Sequence, residues 1–88
     1  MPDYQTIIFT TEFTASIARL SSADLRRVFR AVQQLDTDET TPSLNVHQLK
    51  GPQAGAWTAY ATRSLRITFA RLEGGQKRLI EATHHYGD

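Results

Sequence analysis

Residues 65–83 read LRITFARLEGGQKRLIEAT, and this stretch decides the fold. Apolar side chains alternate with polar or small ones over residues 65–72, which is the pattern of a strand with one face against a core. The run EGGQ at residues 73–76 supplies a tight turn, because glycine adopts positive φ without steric cost. A second strand is predicted over residues 78–83. The stretch therefore predicts an antiparallel β-hairpin.

The alternation also assigns side chains to the two faces of this hairpin. In the first strand, Arg66 is expected on the face opposite the apolar residues Leu65, Ile67 and Phe69. In the second strand, Ile80 and Ala82 are expected to point into the core. His85, if the strand continues, is expected to point outward on the same face as Arg66.

The rest of the chain predicts a helical hairpin that covers the apolar face of the sheet. A short strand is expected over residues 7–9, and a helix capped by Thr10 or Thr11 runs to about Leu20. A second helix begins at the cap residue Ser22, and its apolar positions follow the helical period: Leu25, Val28, Phe29, Val32 and Leu35. After a polar loop over residues 36–43, two more strands are expected over residues 44–49 and 57–62. The prediction is an α+β fold in one domain of residues 1–88, with an N-terminal strand, an α-helical hairpin and a three- to four-stranded antiparallel sheet.

Composition excludes several classes of protein. The 88 residues contain no cysteine, which excludes a disulfide framework and a thiolate zinc site. No apolar run approaches the length of a membrane span, and the N-terminal residues lack the pattern of a signal peptide. We therefore expect a cytoplasmic protein with no membrane partner, no metal and no cofactor.

Charge is distributed unevenly along the chain. Residues 1–43 contain four basic and six acidic side chains, whereas residues 44–88 contain six basic and three acidic ones. The net charges are thus −2 and +3. A basic C-terminal half is consistent with a surface that binds a polyanion, and equally with charges that are simply solvated.

The side chains that could carry chemistry lie in this basic half. They are His47, Lys50, Arg63, Arg66, His84, His85 and Tyr86. Cleavage of RNA without a metal requires a base for the 2′-hydroxyl proton, an acid for the leaving 5′-oxygen, and cations for the charge on phosphorus. Imidazole, guanidinium and ammonium groups meet these three requirements.

Short runs in the same half resemble a known family. They are LKG at 49–51, GAW at 55–57, RSLRI at 63–67, and LIEA at 79–82 followed by HHY at 84–86. In these runs the sequence resembles the RelE/ParE superfamily of bacterial type II toxins. The resemblance covers the whole chain in length and element order, and its specific motifs lie between residues 44 and 86. It implies the α+β fold predicted above.

The resemblance also implies roles for individual residues. Arg66 matches the arginine that the RNA-cutting members place against the scissile phosphate. His85 and Tyr86 resemble the terminal pair of the YoeB-like branch, in which the imidazole is the general acid and the aromatic ring supports it. His47 lies where that branch carries a glutamate proposed as the base, so either His47 or His85 is expected to abstract the 2′-hydroxyl proton. Further substrate contacts are expected from Lys50, Arg63 and His84.

The function implied by the resemblance is that of the toxin of a toxin–antitoxin pair, a ribosome-dependent and metal-independent endoribonuclease that cleaves mRNA, inhibits translation and arrests growth. Its expected partners are a cognate antitoxin, the ribosome and mRNA. The resemblance also allows the toxin–antitoxin complex to oligomerise and to bind operator DNA through the antitoxin. Two alternatives stay open: a ParE-like inhibitor of DNA gyrase, and a degenerate module that binds an antitoxin without being toxic. Two histidines and a tyrosine near the end of the sequence favour the ribonuclease, because a gyrase inhibitor needs no acid–base pair.

Overall fold

The computed structural model of the protein describes residues 4–51 and 55–84. It confirms the α+β fold. Its elements in chain order are strand β1 (Ile7–Ile8), helix α1 (Thr11–Ile17), helix α2 (Ser22–Thr37), strand β2 (His47–Gln48), strand β3 (Trp57–Tyr60), strand β4 (Leu65–Arg71) and strand β5 (Lys77–His84).

The strands form one sheet in the order β1-β5-β4-β3-β2. The pairs β2–β3, β3–β4 and β4–β5 are antiparallel, whereas β1 pairs with β5 in parallel. The four strands after the helices thus form the predicted antiparallel sheet, and β1 adds a fifth, parallel strand, which makes the whole sheet mixed. The two helices follow β1 in the chain. The strand that pairs with β1 is β5, the last strand in the sequence, rather than β2, the strand that follows the helices.

The predicted hairpin is formed by β4 and β5. Gly74 and Gly75 lie in its turn with φ of 77° and 81°, as the glycine pair predicts. In β4 the side chains of Leu65, Ile67 and Phe69 are fully buried against the helices. Arg66 lies on the opposite face, as expected.

Strand β5 contains a β-bulge that the alternation does not reveal. Thr68 pairs with Glu81, whereas Phe69 pairs with Leu79, so Ile80 is the extra residue. Leu79 and Ala82 consequently both enter the core. The prediction that Ile80 points into the core is wrong, because the bulge gives that place to Leu79 and leaves Ile80 half-buried.

The helices pack on the buried face of the sheet. α1 ends at Ile17 instead of near Leu20, and the hydroxyl of its cap residue Thr10 also donates to the Leu79 carbonyl at 2.7 Å. The cap of α2 is Ser21 rather than Ser22, since the Ser21 hydroxyl accepts from the Asp24 N–H at 3.1 Å. The buried side of α2 consists of Val28, Ala31, Val32 and Leu35.

The segment before β2 is less extended than predicted. Pro42–Leu44 forms a 3₁₀ turn, which places Leu44 in the core. Asn45 follows with φ of 44°, in the left-handed region, a conformation that asparagine adopts more readily than most residues. The predicted strand over residues 44–49 is therefore reduced to β2, His47–Gln48.

The C-terminal end of α2 is attached to β1 and β5 by charged groups. The Asp36 carboxylate accepts from the Thr6 N–H at 2.6 Å and the Gln5 N–H at 2.9 Å. Lys77, whose side chain is 5% exposed, places Nζ 3.2 Å from the Thr6 hydroxyl and 3.4 Å from a Glu39 carboxylate oxygen. Burial acts to raise the pKa of the Asp36 carboxyl, but hydrogen bonds from Thr6 and Gln5 and the charge of Lys77 hold it below its ordinary value.

The lowered pKa of Asp36 makes this attachment dependent on pH. The ionised carboxylate stabilises the fold above the pKa of an unfolded Asp, about 3.9, and this contribution is lost as pH falls through the lower folded-state pKa. We expect Asp36→Asn to lower the free energy of unfolding by about 1–2 kcal/mol at pH 7. The deficit relative to wild type should shrink as pH falls from 5 to 2. Urea unfolding at each pH measures it.

Glu81→Gln is the matched control, because it removes an exposed carboxylate from β5. It should leave the free energy of unfolding nearly unchanged at pH 7. A deficit in Asp36→Asn that stays constant down to pH 2 would contradict the assigned role of the ionised carboxylate.

Candidate functional site

The face of the sheet opposite the helices carries the candidate chemistry. Strand register places His47 opposite Thr58, Tyr60 opposite Arg66, and Arg66 opposite Thr83. Directly paired residues project to the same face of a sheet. Because Arg66 alternates with the buried residues of β4, Tyr60, Arg66 and Thr83 belong to the outer face.

Three side chains form what we call the Tyr60 cluster: His47, Tyr60 and Arg66. The guanidinium carbon of Arg66 lies 4.5 Å from the centre of the Tyr60 ring, which is cation–π geometry. The His47 ring stands edge-on to the same tyrosine at a centroid distance of 5.9 Å. Tyr60 therefore contacts an imidazole from β2 and a guanidinium from β4, the strands on either side of β3.

The hydrogen bond of His47 fixes which ring nitrogen carries the proton. Nδ1 lies 2.6 Å from the Asn45 carbonyl oxygen. A carbonyl only accepts, so Nδ1 must be the protonated nitrogen. In the neutral ring, Nε2 is then the basic nitrogen, and the left-handed backbone at Asn45 is what directs that carbonyl toward the ring.

The turn between β3 and β4 supports Arg66 from the other side. The Leu65 N–H donates to the Thr62 hydroxyl at 3.0 Å, and the Ala61 N–H donates to the Leu65 carbonyl at 2.8 Å, which closes the turn. Arg66 Nε donates to the Arg63 carbonyl at 3.3 Å. The side chain of Arg66 is thus oriented both by the turn and by the Tyr60 ring.

Arg63 and Lys50 lie at opposite ends of the sheet. Arg63 is exposed in the β3–β4 turn, beyond the Tyr60–Arg66 pair. Lys50 is also exposed but follows β2, beyond the pairing of Gln48 with Trp57. The structure therefore brings Arg63 next to the Tyr60 cluster and does not bring Lys50 and Arg63 together.

His84 projects to the helix side of the sheet, away from Arg66. It pairs with Leu65 of the core face, and its Nε2 lies 2.8 Å from Oδ2 of Asp24 in α2. The hydrogen bond from His84, opposed in part by burial, holds the pKa of the Asp24 carboxyl below its ordinary value, and Arg27 contributes in the same direction. His84 thus joins the end of β5 to the first turn of α2.

The remaining predicted residues, His85 and Tyr86, lie outside the described residues, and their roles stay predictions. The residue that the sequence interpretation missed is Tyr60. Its signal is the spacing of the two aromatic residues in β3, which puts Trp57 and Tyr60 on opposite faces. Trp57 packs against the core under the Arg71 guanidinium, 4.2 Å from its ring centre, so Tyr60 is the aromatic residue of β3 on the outer face.

The described part of the chain offers neither a metal centre nor a membrane-spanning helix. Within residues 4–51 and 55–84, no three His, Asp or Glu side chains come close enough together to hold a metal ion. Neither of the two described α-helices is long and apolar enough to cross a membrane.

Comparison with known proteins identifies solved structures that share this fold. No family model and no curated protein matches the sequence. The structure superimposes on the YafQ structure from E. coli strain BL21(DE3) with a TM-score of 0.74 at 14% identity, covering 94% of this chain and 100% of that one. It also superimposes on the YoeB/ParE toxin from Agrobacterium tumefaciens, with a TM-score of 0.67 at 18% identity over 93% of this chain and 100% of that one.

The chain has the RelE/YoeB-like toxin fold. A third example is the toxin–antitoxin complex RelBE2 from Mycobacterium tuberculosis, with a TM-score of 0.64 at 17% identity over 94% of this chain and 100% of that one. This is the fold that the resemblance in the short sequence runs implies. At these identities the comparison establishes the fold alone.

His47 and His84 are the two histidines among the described residues. They should carry the ring proton on different nitrogens. The carbonyl partner of His47 requires Nδ1–H, whereas the Asp24 carboxylate at Nε2 of His84 requires Nε2–H. Long-range ¹H–¹⁵N correlation spectra should therefore show opposite tautomers for the two rings in their neutral forms. Asn45→Gly retains the carbonyl and serves as the control for the side chain. An Nε2–H tautomer of His47 in the wild type would contradict the assignment.

Proposed function

We propose that this chain is the toxin of a type II toxin–antitoxin pair and acts as a metal-independent endoribonuclease on mRNA in the ribosomal A site, which inhibits translation. The observation that carries the proposal is the Tyr60 cluster. It combines a basic imidazole nitrogen at His47, a guanidinium at Arg66 and an aromatic ring that contacts both. The RelE/YoeB-like fold supports the same conclusion.

The cluster supplies two of the three groups that the reaction needs. Nε2 of His47 takes the proton of the 2′-hydroxyl, whose oxygen attacks the adjacent phosphorus. Arg66 donates hydrogen bonds to the phosphate oxygens and stabilises the charge of the pentavalent transition state. The P–O5′ bond breaks, and the products are a 2′,3′-cyclic phosphate and a 5′-hydroxyl. Tyr60 stacks on a base next to the cleaved bond.

The third group, the acid that protonates the leaving 5′-oxygen, is assigned to His85. The sequence places it two residues after Thr83, which pairs with Arg66 on the outer face. Tyr86 is proposed to support that imidazole. If His85 is instead the base, His47 takes the acid role, and the same two rings carry out the same two proton transfers with the substrate.

The other basic residues contribute away from the cleaved bond. Arg63 beside the cluster and Lys50 at the far end of β2 are proposed to contact phosphates on either side of the scissile one, because they are too far apart along the sheet to hold the same phosphate. His84 is proposed to act on the substrate only indirectly. Its bond to Asp24 fixes the end of β5, from which His85 continues.

A cognate antitoxin is proposed as the protein partner. Structures with the same fold include the toxin–antitoxin complex RelBE2, the YoeB–YefM complex from Staphylococcus aureus and the DinJ–YafQ complex from E. coli. The basic side chains of the outer face would attract an acidic binding segment. We propose that the antitoxin is encoded in the adjacent reading frame. The complex of the two proteins oligomerises and binds operator DNA through the antitoxin. The toxin itself acts in the cytoplasm.

Substitution of Arg66 tests the proposed function most directly. Arg66→Ala should abolish growth arrest and lower the rate of mRNA cleavage by about a hundredfold or more, since a phosphate-binding donor is removed from the transition state. Stability should change little, because Arg66 lies on the face opposite the core. Growth after induction and primer extension on ribosome-bound mRNA measure the two effects.

Arg78→Ala is the matched control, because Arg78 is exposed on the same sheet face but pairs with Ala70, four residues along β4 from Arg66. The Arg78→Ala variant should remain toxic. Co-expression of the antitoxin from the adjacent reading frame should prevent the growth arrest that this variant causes. Full arrest by Arg66→Ala would contradict the proposal. Arrest with DNA damage and intact mRNA would instead indicate a gyrase inhibitor.

The pH dependence of cleavage should report the two imidazoles. The base must be neutral and the acid protonated, so the single-turnover rate should rise and then fall with pH. His47→Gln should remove the rising limb and His85→Gln the falling limb, measured on ribosome-bound mRNA from about pH 5 to 9. The reverse pattern would exchange the two roles.

Tyr60→Phe is the control for this profile. It retains the ring that packs against His47 and Arg66 and should keep both limbs. A flat profile for the wild type, or wild-type rates in both histidine variants, would exclude acid–base catalysis by these residues.

A further inference from the structure

A groove lies between α2 and the β3–β4 turn, next to the Tyr60 cluster. Its volume is about 330 Å³. Arg27 and Arg30 of α2 border one side, and Tyr60 and Thr62 border the other. The groove thus shares Tyr60 with the proposed catalytic site while extending to the helix side of the sheet.

The groove is cationic. None of the described residues that line it is acidic. Arg27 is half-exposed, and its ion pair with Asp24 at 2.9 Å is shared with His84 on the same carboxylate. A second hollow of about 270 Å³ on α2 is bordered by Arg26, Arg27 and Arg30, so the positive surface continues along the helix.

The groove is a positive surface next to the proposed catalytic site, and Tyr60 belongs to both. Surfaces that bind single-stranded nucleic acid use such cations to follow the phosphates of the backbone. An RNA strand whose cleaved phosphate lies at Arg66 reaches the groove across the β3–β4 turn, whereas an acidic peptide would make no use of the neighbouring acid–base groups. The exposed Arg63 in the intervening turn extends the positive path between the cluster and the groove.

We propose that this groove binds the phosphodiester backbone of the RNA strand next to the cleaved bond, with Arg30 and Arg27 contacting its phosphates. The identity of the ligand rests on the ribonuclease function proposed above. The strand then crosses from the outer sheet face, over the β3–β4 turn, to α2. The groove binds the strand without taking part in the chemical step.

Arg30→Gln tests the groove. The probe is a fluorescein-labelled 2′-O-methyl RNA of ten nucleotides, which cannot be cleaved because its 2′-oxygen is blocked. Fluorescence anisotropy with the full chain should show about three- to tenfold weaker binding for Arg30→Gln. The slope of log K against log salt concentration should become shallower by about 0.7 for each phosphate that the variant no longer neutralises.

Arg19→Gln is the matched control, because Arg19 is exposed but lies between the two helices and outside the groove. It should bind the RNA like the wild type. Equal RNA affinity of Arg30→Gln and the wild type, or no RNA binding by the wild type, would overturn the proposal. Weaker binding of Arg30→Gln to a labelled peptide of twelve glutamates, with RNA affinity unchanged, would also overturn it and assign the groove to an acidic protein segment.

Cleavage assays separate this proposal from the catalytic one. Arg30→Gln should raise KM for ribosome-bound mRNA and leave kcat unchanged. If the wild type does not cleave mRNA but its RNA binding still depends on Arg30, the ribonuclease function is refuted and RNA binding by the groove is supported. If Arg30→Gln has the KM and RNA affinity of the wild type while cleavage still depends on Arg66, only the proposal that the groove binds RNA is refuted.

Discussion

The pairing of β4 with β5 is the constraint on which the rest of the structure depends, and the bulge at Ile80 is its central feature. Two strands in strict alternation would bury Leu79 and expose Ala82, or the reverse. The extra residue lets both side chains face the helices. The same register puts Thr83 beside Arg66 on the outer face and turns His84 toward α2, so one local irregularity accommodates both the core and the candidate site.

Helix α2 is held to this hairpin at both ends by polar contacts. Near its first turn, Asp24 binds His84 at the end of β5. Near its last turn, Asp36 binds Thr6, which contacts Lys77 at the beginning of β5. These contacts join the ends of one helix to the ends of one strand, and the apolar residues between them form the core. The position of α2 relative to the sheet, and with it the width of the groove beside Tyr60, follows from this attachment.

The Tyr60 cluster depends on backbone features more than on its own side chains. The left-handed conformation of Asn45 presents the carbonyl that selects the tautomer of His47. The β3–β4 turn presents the Arg63 carbonyl that orients Arg66. The tyrosine ring then contacts both the imidazole and the guanidinium. Groups placed in this way by strands and a tight turn lose little freedom when a substrate binds, which is a general requirement for a preorganised site.

The sequence by itself determined most of the element types, the Gly74–Gly75 turn and the outward position of Arg66, because the period of apolar residues records which face of each element is buried. It also located the runs that resemble the toxin family, and it selected Arg66 and His47 by their chemistry. Only the tertiary structure decided the bulge at Ile80, the parallel pairing of β1 with β5, the meeting of His47 and Arg66 at Tyr60, and the bond of His84 to Asp24. Residue type and local period are encoded in short segments, whereas register and cross-strand contact arise only when distant segments pack together.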